Sequence, residues 1–145
     1  MVNIEQKREC GECTMCCEGH LAGEVYGKKI AKNTPCHFVT LNKGCNIYKD
    51  RPQDPCKNYK CAWITDKEIP YWMKPNVVDA IIDWRKTRKG EGYLHVVEGK
   101  NPLTIEVLHW VITYCLSKKY NLFYYYKGIN YQIGNKNFVD EFNIE

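Results

Sequence analysis

The sequence predicts an α+β fold in which a cysteine-rich irregular module is followed by a small β-β-α-β-β unit. Eight of the nine cysteines lie between residues 10 and 61, a stretch without sustained helical or strand periodicity. Alternating and helical hydrophobic patterns follow it, separated by turn-forming residues. Because the composition changes near residue 65, we predict two units, the module at residues 1–65 and the α+β unit at residues 66–145, packed on it.

Two pairs of strands are predicted in the second unit. The first pair has the sequences NVVDAIIDWR and GYLHVVEG, and the turn-prone segment KTRKGEG separates them. The second pair is the alternating aromatic segment LFYYYKGINYQIG, with Lys127 and Gly128 near its turn. The second pair is expected to form a hairpin.

One helix is predicted between the two pairs of strands, over NPLTIEVLHWVITYCLSKKYN. Asn101 is the expected N-cap and Pro102 the first helical residue, where a missing N–H does no harm. Lys118 and Lys119 lie near the C-terminal end, where the helix dipole favours cations. Cys115 shares the apolar face of this helix, so we interpret it as a core residue rather than a ligand.

Charge and hydropathy indicate the expected cellular location and the classes of partner that the sequence does not favour. The N-terminal residues lack the apolar stretch of a secretory signal, and no segment has the roughly 20 apolar residues that span a bilayer. We therefore expect a cytoplasmic protein without a membrane partner. The net charge of +4 is modest and scattered along the chain, so it does not favour a nucleic-acid partner.

The cysteines themselves allow three interpretations: disulfides, buried apolar residues or metal ligands. A disulfide framework is typical of secreted chains with an even cysteine count, and this chain has nine. The cysteines are concentrated too strongly within residues 10–61 to be explained as ordinary buried core residues. Structural zinc contributes roughly 10 to 16 kcal/mol in small peptides, whereas a core of this size rarely supplies more than about 5 kcal/mol. The first unit is therefore predicted to be a metal-binding module.

The run CGECTMCC begins this cluster. Cys10, Cys13 and Cys16 have the spacing with which a ferredoxin-type loop holds three corners of a cubane, and a distant thiolate would complete it. Cys16 and Cys17 are adjacent, and adjacent thiolates are poorly placed on one tetrahedral metal. Either they serve different centres, or one ligates and the other packs.

Together with the later cysteines, this run resembles the YkgJ-type cysteine-cluster proteins, the zinc- or iron-chelating CxxCxxCC domain family. In that family the run is followed by Pro-Cys, by Cys-x-Ile-Tyr-x-x-Arg-Pro and by a final cysteine pair that encloses an aromatic residue. Here these elements are Pro35-Cys36, residues 45–52, and Cys56 to Cys61 around Tyr59. The resemblance covers about residues 10–63. Flagellin lysine methylases carry a similar pattern associated with an iron–sulfur cluster, although this chain is much shorter and lacks their glycine-rich cofactor loop.

These observations define the candidate site. Arg51 is a permanent cation that could donate hydrogen bonds to sulfur at the site. The alternative interpretation is that Arg51 is an ordinary exposed arginine without a role at the site. Tyr48 is expected to shield the bound group. His37 could replace a thiolate, but the eight cysteines already supply enough ligands, so it is not among the predicted ones. The predicted metal ligands are Cys10, Cys13, Cys16, Cys17, Cys36, Cys45, Cys56 and Cys61.

The predicted function is metal binding, with an iron–sulfur cluster, favoured as 4Fe–4S, in a redox or accessory role. The alternative is a zinc-stabilised interaction module without redox chemistry, which would bind a partner through its aromatic hairpin. A third class, binding of single-stranded nucleic acid through Lys57, Lys60 and tyrosines, is the weakest. The sequence identifies neither a reaction nor a protein or redox partner.

Overall fold

The computed structural model describes residues 8–18, 22–31, 34–40 and 43–143, and its mixture of helices and sheets confirms the α+β class. The strands are β1 (Gly23–Val25), β2 (Lys28–Ile30), β3 (Val39–Thr40), β4 (Gly44–Cys45), β5 (Ala80–Lys86), β6 (Gly92–Glu98), β7 (Asn121–Tyr126) and β8 (Ile129–Ile133). The α-helices are α1 (Ala62–Thr65), α2 (Pro75–Val78), α3 (Ile105–Lys118) and α4 (Lys136–Asn143). In the described ranges, no helix is long and apolar enough to cross a membrane.

The main sheet consists of β5, β6, β7 and β8 in that order. β5 pairs antiparallel with β6, and β7 pairs antiparallel with β8. β6 and β7 are parallel, which requires a crossover of about a dozen residues or more. The 14 residues of α3 lie in that connection, so the helix joins the two hairpins into one sheet.

Two short hairpins, β1–β2 and β3–β4, lie in the first half, where the sequence predicted no strands. Tyr26 and Gly27 form the turn between β1 and β2, and both have positive φ angles, 47° and 78°. Such angles suit the tight turns that match the twist of paired strands. Strands of two or three residues are too short to give a detectable period, which explains why the pattern did not predict them.

The first predicted strand begins later than expected, at Ala80, because α2 occupies the preceding residues. Asp79 ends α2 in the left-handed conformation, with φ 55° and ψ 47°. Its carboxylate accepts hydrogen bonds from the backbone N–H groups of Lys100 and Asn101, at 3.1 and 2.9 Å. These hydrogen bonds connect the residue before β5 to the segment that follows β6.

The N-cap of α3 is Thr104, and the prediction of Asn101 for this position was wrong. The Thr104 hydroxyl accepts a hydrogen bond from the Val107 N–H at 3.3 Å. The amide of Asn101 is engaged instead with the Asp79 carboxylate, at 3.2 Å. These contacts with Asp79 hold Asn101 at the end of β6, and the side-chain oxygen that caps α3 comes from Thr104, so the helix starts three residues later.

The C-terminal helix α4 was not predicted. The Asn135 side chain accepts a hydrogen bond from the Phe138 N–H at 2.9 Å, as an N-cap does. Phe138 is fully buried and packs against Tyr93 and Phe142, with ring centroids 5.2 and 5.1 Å apart. This aromatic cluster covers one face of the sheet.

The opposite face of the sheet carries the main core, which also includes residues from the first half. Ile82, Leu94 and Leu122 of the sheet are fully buried there with Val111 of α3. Cys61, Ala62 and Trp63 belong to the same core. The segment around α1 therefore anchors the cysteine-rich part of the chain to the sheet.

We predict that Cys115→Ala lowers stability without altering any other property of the cysteine-rich half. Cys115 is 1% exposed, whereas its neighbour Leu116 is 60% exposed. Loss of a buried sulfur leaves a small cavity, so the free energy of unfolding should fall by about 1 to 2 kcal/mol. Chemical denaturation of this variant beside Leu116→Ala measures the effect. Equal stability of the two variants would contradict the core assignment.

Candidate functional site

A single cavity of about 470 Å³ brings the predicted ligands together. It is lined by Cys10, Cys13, Cys16, Cys17, Cys36, Cys45, Cys56 and Cys61, hereafter the clustered cysteines. We call this space the cysteine cavity. All nine cysteines of the chain are free thiols, and Cys115 does not line the cavity. His37 is likewise not among the lining residues, so the structure does not bring it to the site.

The loop from Cys10 to Glu18 forms one wall of the cavity. A turn closes between the first two cysteines, with the Cys13 N–H donating to the Cys10 carbonyl at 2.8 Å. Gly11 has φ 55° within this turn, a conformation that glycine adopts without strain. The buried Thr14 hydroxyl donates to a Glu18 carboxylate oxygen at 2.8 Å, which ties the end of the loop to its middle.

Cys16 and Cys17 begin a 3₁₀ turn that ends at Glu18. With three residues per turn, consecutive side chains leave a 3₁₀ helix about 120° apart. Cys16 packs against the main core that contains Cys61. Cys16 and Cys17 both pack against a smaller core around Val25 and Cys36, so Cys16 lies between the two cores.

The cysteines of the smaller core are held by backbone contacts between distant segments. The Cys36 N–H donates to the Cys17 carbonyl at 2.8 Å. Cys45 lies in β4, directly opposite Val39 of β3. Cys56 lies in the irregular helical turn Gln53–Lys57 and packs against the same smaller core.

Gly44 allows the β3–β4 hairpin to approach the first cysteine loop. Its φ is 119°, and a Cβ at this position would overlap the carbonyl oxygen of Gly11. Any other residue would push Cys45 away from Cys10. The close approach of the two glycines therefore helps to bring Cys10 and Cys45 to the same cavity.

Burial and mutual repulsion raise the pKa of several thiols. Burial, with the nearby Cys36 as the next cause, raises the pKa of Cys17 to about 12. Burial raises the pKa of Cys61 to about 11 and that of Cys16 well above its usual value. At neutral pH these thiols hold their protons unless a cation compensates the thiolate charge, which is what a metal does.

Cationic side chains dominate the charged part of the lining: Arg8, Arg51, Lys57, Lys60 and Lys74, with Glu9 as the acidic member. The guanidinium of Arg51 lies 3.7 Å from the Tyr48 ring centroid, and its Nε donates to the Tyr48 carbonyl at 2.9 Å. Its charge lowers the pKa of Cys45 and Cys56, although burial is the larger influence and raises both. The structure therefore places both predicted cofactor-binding residues, Tyr48 and Arg51, at the cavity.

Tyr59 links the cavity to the sheet, a connection that the sequence did not predict. Its hydroxyl hydrogen-bonds with the Cys16 thiol and donates to the Asp83 carboxylate at 3.1 Å. Asp83 is buried on β5, with His95 Nδ1 at 3.0 Å and Arg85 Nε at 3.1 Å. An aspartate within the apolar run AIIDW was the available signal, because a buried carboxylate requires partners.

Trp63 lines the cavity beside two cations. The Arg8 guanidinium lies 4.9 Å from its ring centroid and the Lys74 ammonium 5.1 Å from it. The Trp63 indole N–H is buried and has no hydrogen-bond partner within the described residues. A sulfur or other acceptor bound in the cavity would offer it a partner.

The arrangement of the possible ligands and the comparisons with known proteins both concern the donor set. Within residues 8–18, 22–31, 34–40 and 43–143, no group of three or more His, Cys, Asp or Glu side chains is arranged to hold a metal ion. The chain matches no family model, no curated protein and no solved structure. Metal binding and the resemblance to the YkgJ-type proteins therefore stay predictions.

We predict that Gly44→Ala weakens the cysteine-rich half, because its methyl group would collide with the Gly11 backbone. The cost should be about 1 to 3 kcal/mol, as for overpacked sites. Gly27→Ala is the matched control, since Gly27 also has a positive φ but nothing lies within 4 Å of a Cβ there. Thermal unfolding of both variants measures the difference. A control as unstable as Gly44→Ala would mean that backbone conformation, not the contact, is responsible.

Proposed function

We propose that the cysteine cavity binds an iron–sulfur cluster of the 4Fe–4S type, with a redox or accessory role. The observation that carries the proposal is that all eight clustered cysteines line one cavity of about 470 Å³. Cys10, Cys13 and Cys16 would bind three corners of the cluster, and a later cysteine the fourth. When bound, such a cluster supplies one-electron transfer.

The dispersion of the thiols around the cavity supports a cluster. In a tetrahedral zinc site each sulfur lies about 2.3 Å from one metal, so the ligand sulfurs converge within about 4 Å of each other. In a cubane each thiolate binds a different iron, and the ligands stand farther apart. Among the described residues, no three or more ligand side chains are arranged around one ion, and this fits the second arrangement better than the first.

The charges of the lining also suit a cluster. A cubane with four thiolate ligands carries net negative charge in its common oxidation states, and the cavity has cationic side chains to offset it. The Trp63 N–H, which has no hydrogen-bond partner in the part of the chain that the structure describes, would be a donor to sulfur. N–H···S hydrogen bonds and nearby charge are the means by which proteins adjust cluster potentials.

Structural zinc is the alternative to an iron–sulfur cluster. The number of thiols is as consistent with zinc as with a cluster. Eight thiolates could hold two four-coordinate zinc ions in closed sites without redox chemistry. The YkgJ-type resemblance implies either zinc or iron. The experiments below separate the two metals.

The module that would hold the metal is residues 1–65, followed by a β-β-α-β-β unit at residues 66–145. The small core of this module, around Val25, Ile30 and Cys36, supports its dependence on metal because so few large side chains contribute to it. The main core, by contrast, extends across the sheet and α3.

We predict that anaerobically purified protein is brown, contains iron and acid-labile sulfide, and loses visible absorbance on reduction with dithionite. Cys10→Ser, Cys13→Ser and Cys16→Ser should each lower the iron and sulfide content, because each removes a thiolate from the cluster loop. Cys115→Ala is the matched control and should retain full content. Visible spectra with iron and sulfide assays measure the effect.

A colourless preparation with stoichiometric zinc, no sulfide and no gain of iron on reconstitution would overturn the iron–sulfur proposal. The zinc alternative would then stand. Loss of metal from Cys115→Ala would instead overturn the assignment of ligands to the cavity.

We also predict that removal of the metal disorders the cysteine-rich half while the sheet persists. Metal ligation supplies most of the stability of a module with so small a core. The amide NMR signals of residues 10–61 should broaden or collapse on chelation, whereas those of β5–β8 should stay dispersed. Fully native spectra in the metal-free protein would show that the thiols are packing groups.

A further inference from the structure

We propose that an exposed aromatic surface at one end of the main sheet binds single-stranded nucleic acid, with bases stacked on Trp84 and Tyr120 and phosphates bound by nearby cations. This inference is independent of the proposed function, because none of the clustered cysteines belongs to the surface. We call this surface the aromatic platform. It consists of Trp84, Lys86, Gly92, Lys119 and Tyr120.

The register of β5 and β6 defines one side of the aromatic platform. Trp84 and Lys86 lie two residues apart on β5, so their side chains share one face of the strand. Trp84 lies opposite Leu94 of β6, and Lys86 lies opposite Gly92. Leu94 is fully buried in the main core, so this is the face of the sheet that carries that core. The platform continues this face past the edge of the core, towards the β5–β6 turn.

The C-terminus of α3 supplies the other side of the platform. Lys119 ends the helix in the left-handed conformation, with φ 59° and ψ 37°. The Tyr120 N–H then donates to the Cys115 carbonyl at 2.8 Å, and the chain enters β7. This turn brings the Tyr120 ring to Trp84, with ring centroids 5.2 Å apart and ring planes at 86°.

Both rings are accessible to a ligand. Trp84 and Tyr120 are each 40% exposed. Gly92 lies between Lys86 and β7 and adds no side chain, and a Cβ at this position would meet no atom within 4 Å. The surface above Gly92 is therefore open, so that planar bases can approach the two rings.

Cations from two distant segments meet at the platform, because β7 starts beside the first residues of β6. The exposed cations are Lys86, Arg88, Lys89, Lys118 and Lys119. Lys118 pairs with Glu68 at 3.1 Å, and Glu91 of the β5–β6 turn engages the Asn135 amide at 3.2 Å. Among the described residues, the other four cations form no ion pair, so their charge is available to an anion. The tertiary structure thus gathers charge that is scattered along the sequence.

Acidic side chains limit the platform on the side of α3. Asp66 and Glu68 both accept hydrogen bonds from the Tyr114 hydroxyl, at 2.7 and 3.1 Å. The Tyr114 ring lies 5.8 Å from the Tyr120 ring, so phosphates on that side would be repelled. A bound strand would therefore run from Tyr120 over Trp84 towards the cations of the β5–β6 turn.

Exposed rings together with cations favour nucleic acid over other anions. Polyphosphate and acidic peptides supply negative charge without bases, so the rings would contribute little to their binding. The bases of a duplex are stacked on each other, and only a single strand offers free base faces to aromatic side chains. Single-stranded DNA and RNA share this chemistry. Lys57 and Lys60, which the sequence made candidates for this class of ligand, line the cysteine cavity instead.

Fluorescence anisotropy with labelled oligothymidylate and oligouridylate of about 12 nucleotides tests the proposal. We expect a Kd of about 1 to 100 μM at physiological salt, the range of sequence-independent binding. Trp84→Ala and Tyr120→Ala should each weaken binding about 5- to 150-fold, the loss of one stacked base. Tyr131→Ala is the matched control and should bind like the wild type, because Tyr131 is 39% exposed on β8, at the opposite edge of the sheet from β5.

Salt dependence tests the phosphate contacts separately. For single strands, each neutralised phosphate contributes about −0.7 to the slope of log K against log salt concentration. The double variant Lys86→Gln/Lys119→Gln should therefore make this slope less steep by about 1.4. Lys28→Gln, at an exposed lysine of β2, is the control and should leave the slope unchanged. Amide NMR signals of β5–β8 verify that each variant retains its sheet.

The outcomes decide the proposal. Tighter binding of either oligonucleotide than of polyphosphate supports it, and the tighter of the two identifies the sugar. No binding of either at about 100 μM, equal binding of polyphosphate, tighter binding of a duplex, or unchanged binding in both ring variants would overturn it. Should a ring variant fail to fold, the polyphosphate comparison on the wild-type protein and the lysine variant decide. None of these measurements depends on metal content, so failure of the iron–sulfur proposal would leave them unaffected.

Discussion

The burial of many thiols around one space is the constraint on which the cysteine-rich half depends. A buried thiolate loses its hydration, and its neighbours repel it, so the pKa of Cys17 is raised to about 12 and that of Cys61 to about 11. The cationic side chains at the cavity lower this cost only in part. A bound metal group would remove most of it, because metal ligation replaces the thiol protons.

The sheet supports the cavity through the segment that contains Tyr59 and α1. Trp63 is 2% exposed and lies in the main core while it also lines the cavity. The Tyr59 hydroxyl connects the Cys16 thiol with the buried Asp83 carboxylate, which pairs with the Arg85 guanidinium and contacts His95 Nδ1. Hydrogen bonds behind a ligand fix its orientation and its basicity, so the partners on β5 and β6 influence the cavity without lining it.

Local patterns predicted the four long strands and the long helix of the second half of the chain, but neither its short helices α2 and α4 nor the strands of the first half. The long alternating and helical runs predicted the strands and α3, because seven-residue strands and a 14-residue helix repeat their period several times. The start of α3 was misplaced because Asn101 bonds to Asp79, a residue 22 positions away. The hairpins of the first half contain only two or three residues per strand and leave no period to detect.

The sequence by itself determined the α+β class and predicted a group of eight cysteines that leaves out Cys115, since clustering along the chain and an apolar helical face are local properties. Tertiary structure alone decided that the clustered cysteines share one cavity, that Tyr48 and Arg51 lie beside it, and that His37 does not line it. It also decided which cysteines are neighbours. The physical reason is that contacts such as Cys36 with Cys17, Gly44 with Gly11 and Tyr59 with Asp83 join segments 19 to 33 residues apart, and no local spacing specifies how such segments pack.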